Sequence, residues 1–310
     1  MSANGVEAAS PTAIRDAAGA APLSAAADSS RSLAGKSTAP GRLLVTDDNP
    51  LNLDVAARIL RGLGYEVLTA QSAAAALEHL AQGSFDLVLM DCEMPDMDGI
   101  EATRLARRAE EARSPQGQKP QRVPIIALTA HSADEIQDEC TEAGMNDFIT
   151  KPLTKKKLQD ALGRWLDEPA TQSSVPGSEA SERISTAAPC GQTSSVDTSV
   201  LASVMAARPG DAREFITRLI FRFDELATRQ IAQLWQAYRE GRSDEVSSLA
   251  HGLKSSAGAI GACQVASRAG EIERHVRHHG LTGLEPILAP LDGDLAGALS
   301  GLSEFSEAAG

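Results

Sequence analysis

The most constraining feature of this chain is an apolar run that ends at an acid. Phe85-Asp86-Leu87-Val88-Leu89 reads as a buried strand. The stretch Met90–Gly99, Met-Asp-Cys-Glu-Met-Pro-Asp-Met-Asp-Gly, breaks that pattern and opens a helix over Ile100–Glu111. Asp91 therefore sits at the strand's C-terminal tip, the edge where open α/β sheets bind ligands. The pair Asp47-Asp48, Thr129 and Lys151 each lie at or just beyond the end of another apolar strand.

Residues 41–167 alternate strand and helix signals throughout. Leu43-Leu44-Val45 ends at Asp47-Asp48, and Leu51–Leu63 carries a helical stripe through Leu53, Ala56, Ala57 and Leu60, closed by Gly64. Tyr65–Thr69 is a short strand, and Ser72 is placed to cap an Ala-rich helix over Ser72–Ala81. After the Asp91 strand and its helix, Ser114–Arg122 reads as an enlarged loop. Val123–Leu128 is almost wholly apolar, as a strand covered on both faces must be. Ser132–Ala143 is a helix with Ser132 as cap and Glu135 at the reciprocal position. Asn146–Thr150 and Thr154–Leu166 complete the series. Five such units predict a doubly wound, five-stranded parallel sheet.

Outside that block the composition changes twice. Residues 1–40 are Ala, Ser, Gly and Pro with few large apolar side chains, and are expected to be disordered. Residues 168–196 have linker composition, with an r.m.s. span of about 30 Å as a flexible coil. From residue 197 to 308 strand signals vanish. Val200–Ala207, Asp211–Arg239, Asp244–Ile260, Gln264–His279 and Leu284–Phe305 predict an all-α helical bundle of four antiparallel helices and a leader.

The 310 residues are too many for one compact core, and 42% hydrophobic content is enough to build two. A net charge of -13 argues against nucleic acid as the main partner. No apolar run approaches a membrane span, and no signal peptide is recognisable, so the expectation is a cytoplasmic protein without membrane insertion. Cys92, Cys140, Cys190 and Cys263 show no paired or metal-ligand spacing and read as reduced thiols.

Asp47, Asp48 and Asp91 together repel one another unless a cation sits among them. Oxygen ligands with room for water suit Mg²⁺, and a carboxylate can itself attack phosphorus. Phosphoryl transfer then needs charge stabilisation, which the ammonium of Lys151 and the hydroxyl of Thr129 can supply. Asp96 and Asp98 read as turn and helix-start residues, and Cys92 as a small buried side chain.

Residues 41–167 resemble the flavodoxin-like receiver domain of response regulators and hybrid histidine kinases. The matching pieces are Val45-Thr46-Asp47-Asp48-Asn49, Met90-Asp91-Cys92-Glu93-Met94-Pro95, Ala127-Leu128-Thr129-Ala130 and Phe148-Ile149-Thr150-Lys151-Pro152. The resemblance implies that Asp91 is the phosphoacceptor, with Mg²⁺ held by Asp48 directly, Asp47 through water, Asp91, and the backbone carbonyl of Glu93. It implies phosphoryl binding by Thr129 and Lys151, a switch aromatic at Phe148 and a cis bond before Pro152. Glu93 and His131 occupy places that tune phosphoaspartate lifetime in that family.

In the helical half, Val246, Leu249, Ala250, Leu253, Ala257 and Ile260 form the apolar stripe of Asp244–Ile260. His251, Lys254, Ser255 and Gly258 fall opposite, so an imidazole should point at solvent with a Lys one turn on and a flat Gly surface beyond. An imidazole nitrogen is a competent phosphoryl nucleophile. Ala250-His251-Gly252-Leu253-Lys254-Ser255-Ser256-Ala257-Gly258-Ala259-Ile260-Gly261 resembles the signature of histidine phosphotransfer (HPt) domains. That resemblance makes His251 the acceptor and Lys254 its electrostatic neighbour. His275, His278 and His279 share near-ligand spacing, but a solvated helix end near Gly280 explains them. Lys155-Lys156-Lys157 reads as the solvated side of the last receiver helix.

Together these readings predict a phosphorelay protein whose partners are a histidine kinase and other receiver or HPt proteins. Nothing resembles a kinase ATP-binding domain or a DNA-binding element. Three alternatives remain: Asp91 and His251 serve separate partners as a phosphate sink or gate; the chain is a phosphorylation-shifted scaffold; or it is a metal-dependent phosphatase. Dimerisation through the face of Ser132–Ala143 and Thr154–Leu166 is a further possibility.

Overall fold

The computed structural model describes residues 41–114, 122–130, 133–166 and 195–308, with the side chains of 133–136 left aside. The N-terminal tail, most of the 114–122 loop, His131, the Ser132–Glu135 cap, most of the 168–196 linker and Cys190 lie outside them. Strands β1 (Arg42–Thr46), β2 (Glu66–Ala70), β3 (Leu87–Asp91), β4 (Ile125–Thr129) and β5 (Asp147–Thr150) form one parallel sheet in the order β2-β1-β3-β4-β5. Every residue of β3 and β4 is buried, which explains their unbroken apolar sequence. Helices α1 (Pro50–Gly62), α2 (Ala73–Gln82), α3 (Gly99–Arg113) and α4 (Ala133–Ala143) make the crossovers, and α5 (Lys155–Leu166) follows the last strand. The strand order reverses between β1 and β3, so the tips of those two strands open onto a crevice.

Local chemistry fixes where these elements start. The side chain of Asn49 accepts from Leu51 N at 3.0 Å and caps α1, Ser72 caps α2, and Asp98 caps α3 by accepting from Glu101 N. Asp96 adopts φ 69°, the left-handed turn conformation that Asp tolerates. At Gly99 a Cβ would lie 1.9 Å from Asp91 O. Only glycine allows α3 to begin against the end of β3.

The second half is all helix: α6 (Ser199–Ala207), a 3₁₀ turn at Pro209–Asp211, α7 (Ala212–Arg239), α8 (Ser243–Ile260), α9 (Cys263–His279), α10 (Glu285–Leu288) and α11 (Leu291–Ala308). The single helix expected over Leu284–Phe305 is two. Pro290, between α10 and α11, has no N–H to continue the first of them. In α7 the buried residues Ile216, Leu219, Phe223, Ala227, Ile231 and Leu234 recur at three- and four-residue intervals and turn one face to the bundle. Cys92 and Cys140 are free and buried, but Cys263 is disulfide-bonded, which corrects the reading of all four cysteines as thiols. Among the described residues no helix is long and apolar enough to cross a membrane.

The two halves share a core. On one side of the sheet, Leu44, Val88, Met90, Ile125 and Ala127 pack with Ala73, Ala76, Ala102 and Ala106 of α2 and α3. On the other, Leu43, Val45, Leu87, Leu89 and Ile126 pack under α1 and α5, and that cluster continues without a break into Val200, Val204, Phe223 and Leu253 of the bundle. Helix α1 is the seam. Leu51, Val55 and Ile59 are buried as well as the expected Leu53, Ala56, Ala57 and Leu60, so the helix is covered by the sheet on one side and by the bundle on the other.

Candidate functional site

The register of the sheet brings the strand ends together. Thr129 and Asp91 close β4 and β3, and Lys151 follows β5, its N–H donating to Thr129 O at 2.7 Å. The bond before Pro152 is cis. Lys151 Nζ then reaches Asp91 Oδ2 at 2.6 Å and Asp47 Oδ2 at 2.8 Å. Asp47 is almost fully buried and takes further bonds from Asn49 N at 2.9 Å and from Asn52 Nδ2 at 2.9 and 3.0 Å. Asp91 Oδ1 accepts from Glu93 N at 3.2 Å. Ligand oxygens of Asp47, Asp48 and Asp91 all lie within 4.8 Å of one another.

The electrostatics follow from crowding. Burial, and then the neighbouring Asp47 carboxylate, push Asp91 well above the usual carboxylate range, against the pull of Lys151. Asp48 is raised for the same two reasons, countered by Lys151 and His251. Burial alone would depress the Lys151 ammonium, yet Asp47 and Asp91 outweigh it and hold the group above the ordinary lysine value. Three hard carboxylates carrying excess negative charge at a strand edge fit a small divalent cation such as Mg²⁺.

His251 lies on the face of α8 opposite the apolar stripe, as the spacing predicts, but it does not look into open solvent. Its side chain is 25% exposed and its Nδ1 stands 3.1 Å from Glu93 Oε2 of the sheet half and 3.3 Å from Glu273 Oε1 of α9. Carboxylates only accept, so Nδ1 carries the proton. Glu273 also takes Lys254 Nζ at 3.1 Å and Arg277 at 3.1 Å. Its hydrogen bond with His251, opposed by burial and reinforced by Lys254, holds the carboxyl down at about 2. His251 is raised in return, first by that hydrogen bond against its own burial, then by the charges of Glu93 and Glu273. Gly258 does not form the docking surface, since a Cβ there would meet nothing within 4 Å. The contact is made instead by Ser255, bonded by Asn52 at 2.8 Å, and Ser256, bonded by Asn49 at 2.7 Å.

The structure brings Asp47, Asp48, Asp91 and Lys151 together at the strand edge, with Thr129 at the adjacent strand end, and places His251 and Lys254 side by side on α8. The sequence reading did not single out Glu273 or Asn52, nor the contact Asn49 makes with Ser256. Phe148 lies at the edge of the second core, lining a shallow cavity with Cys140 and Met145. His275 bonds Thr282 O at 2.8 Å and stacks near His279, and no acidic or cysteine ligand joins them among the described residues.

Such a fold and site define a class: a flavodoxin-like sheet with an acidic, lysine-bridged strand edge, joined to a helical bundle that sets an imidazole beside that edge. Residues 43–163 match the response regulator receiver domain and residues 219–304 match the Hpt domain. The chain thus carries one region matching each of these two domain families, and the pair supports two-component phosphorelay signalling. It is 42% identical over 129 residues to hybrid signal transduction histidine kinase C of Dictyostelium discoideum, covering 42% of this chain and 10% of that protein. It is 40% identical over 124 residues to the sensor protein GacS of Pseudomonas syringae pv. syringae, covering 40% of this chain and 13% of that protein. The chain thus spans a small fraction of the length of these relatives. A solved receiver domain of a sensor histidine kinase from Pseudomonas aeruginosa PAO1, with magnesium coordinated in its active site cleft, is 38% identical over 42% of this chain and all of that one, with TM-score 0.36.

Proposed function

We propose that this chain is a relay with two phosphoryl stations, Asp91 and His251, charged by a histidine kinase or another phosphohistidine donor and discharged to the receiver of a further protein. The observation that carries this reading is the apposition of the two half-sites. The bundle is docked so that Nδ1 of His251 contacts Glu93, two residues from Asp91. A metal-dependent phosphatase acting through the strand-edge carboxylates would not require the helical half.

In the first step an Asp91 carboxylate oxygen attacks the phosphorus of phosphohistidine. The O–P bond forms, the N–P bond breaks, and the imidazole leaves. Lys151, 2.6 Å from Asp91, places a fixed positive charge where the phosphoryl oxygens arrive, and Thr129 stands at the adjacent strand end to donate a hydroxyl. Asp47, Asp48, Asp91 and the backbone carbonyl of Glu93 would hold Mg²⁺, which supplies neutralising charge for an anionic phosphoryl group. In the second step the lone pair of His251 Nε2 attacks phosphorus, the bond to Asp91 breaks, and the carboxylate is regenerated. The ring acquires positive charge while Nδ1 keeps its proton, and the Glu273 carboxylate stabilises that cation. Transfer in either direction uses the same groups.

The test is to load the chain from labelled acetyl phosphate with Mg²⁺ and compare wild type, Asp91→Ala and His251→Ala. Acid-labile, base-stable label on His251 that requires Asp91 is the expected result. Label confined to Asp91 in wild type would favour a phosphate sink or scaffold and overturn the relay.

A further inference from the structure

Helix α6, the 3₁₀ turn and the start of α7 precede residues 219–304, the part matched by the Hpt family. They grip the receiver. Arg58 of α1, although charged, is only 6% exposed. Its guanidinium donates to both carboxylate oxygens of Asp211 at 2.7 and 3.1 Å and to Arg208 O at 2.8 Å, and lies 4.3 Å from the centre of the Phe215 ring. One turn on, Gly62 ends α1 against the end of α6, where a Cβ would stand 2.4 Å from Ala207 O. One turn earlier, Asp54 pairs with Arg222 of α7. With Asn52 on Ser255 and Asn49 on Ser256, these contacts run along one side of α1 from its first turn to its last.

The chemistry of this grip is selective. A bidentate guanidinium–carboxylate pair fixes both distance and orientation, and stacking on an aromatic ring adds a contact that lysine makes less well. A side chain at position 62 would strike backbone. The surface around Asp211, Phe215 and Ala207 therefore accepts a first helix with an arginine one turn before a glycine. Because the bundle and its own receiver share one chain, the internal receiver meets it at an effective concentration of about millimolar. While it is seated, His251 is covered.

We propose that this surface is the docking address for receivers whose first helix carries the Arg58–Gly62 pattern, that the receiver of a second copy of this chain is such a partner, and that the chain's own receiver withholds His251 from it. The proposal rests on the relay reading. Its consequence is that one substitution has opposite effects depending on which chain bears it.

The experiment pairs two full chains. The donor carries His251→Ala and is loaded at Asp91 from labelled acetyl phosphate, then freed of it. The acceptor carries Asp91→Ala, and label arriving on its His251 is followed per loaded donor. Arg58→Glu in the acceptor loosens its own receiver and should raise transfer, on the order of tenfold. In a donor that also carries Asp211→Ala, whose receiver is already released from its own bundle, the same substitution removes only the hold on the acceptor's Asp211 and should lower transfer by a similar factor. An acceptor carrying both Arg58→Glu and Asp211→Arg, which keeps its own pair with the charges exchanged, should restore the Arg58→Glu donor and disfavour the Arg58 donor, which separates a lost contact from a misfolded receiver. A fall or no change with the acceptor variant overturns the withholding of His251. No change with the donor variant, or no restoration by Asp211→Arg, overturns the address. If no label reaches His251 in any pair or in the wild-type chain, the relay itself fails and this proposal with it.

Discussion

Replacing Glu273 by Gln tests how the bundle prepares its histidine. The side chain is 7% exposed, and the substitution keeps its shape while removing its charge. Its carboxyl is held at about 2 against a usual 4.5, chiefly by the hydrogen bond with His251 and despite its burial, with Lys254 assisting. That displacement corresponds to about 3 kcal/mol in favour of the charged form. An amide forfeits it, and leaves His251, Lys254 and Arg277 around a neutral group. A charge-assisted hydrogen bond contributes about 1.5–3 kcal/mol. The amide oxygen of Gln still accepts from Nδ1 but as a neutral partner worth about 0.5–1.5 kcal/mol, so roughly 1–1.5 kcal/mol is forfeited and transfer to His251 should slow by roughly five- to tenfold. Asp91 lies outside this cluster, so its loading should be unaffected. The assay charges Asp91 from labelled acetyl phosphate, quenches at intervals, hydrolyses the acyl phosphate with alkali and counts what remains on His251. A Glu273→Gln chain that is less stable yet transfers at the wild-type rate would refute the reasoning, because the carboxylate would then brace the helices without orienting the ring.

The same carboxylate makes a pH prediction: a group depressed on folding contributes stability above its unfolded value of 4.5, and that contribution is lost as pH falls through about 2. The stability gap between wild type and Glu273→Gln in urea melts should be steady near neutrality and shrink across that window. A gap independent of pH would show that charge is not its source. Lys151→Met removes the ammonium between Asp47 and Asp91, so Mg²⁺ should bind more tightly in a titration, by roughly tenfold, while loading of Asp91 slows. Weaker Mg²⁺ binding would contradict the charge balance described for the site. Gly99→Ala drives a Cβ into Asp91 O and should destabilise the receiver by about 1–3 kcal/mol or more in denaturant melts. A variant as stable as wild type would show that the start of α3 yields freely.

Much of the receiver is legible in the sequence because its site residues sit where an apolar run stops. Asp91, Thr129 and Lys151 can be assigned to strand ends from the residues alone, since a parallel strand buried on both faces announces its own termination. His251 is legible from its place on the face opposite a helical apolar stripe. Its surroundings are not. The expected solvent face is covered by the receiver, and Glu273, which lies 22 residues further on, carries no local mark that separates it from other helix glutamates. The two-sided burial of α1 does leave a trace: Leu51, Val55 and Ile59 are surplus to one stripe, and Arg58 stands among them with no acidic neighbour on its own helix one turn on. Tertiary pairing supplies that neighbour from Asp211. Gly258 misleads because a smooth helix surface suggests a contact, whereas the close approach occurs at Gly62.

The central claim is that phosphate moves between Asp91 and His251 within one chain. The direct measurement is the rate at which label leaves Asp91 and appears on His251 in the wild-type chain, followed by rapid quench over a hundredfold range of chain concentration. First-order transfer at a rate independent of concentration is the result the docked geometry predicts. Label that decays from Asp91 without reaching His251, or a rate that climbs in proportion to concentration, would contradict it.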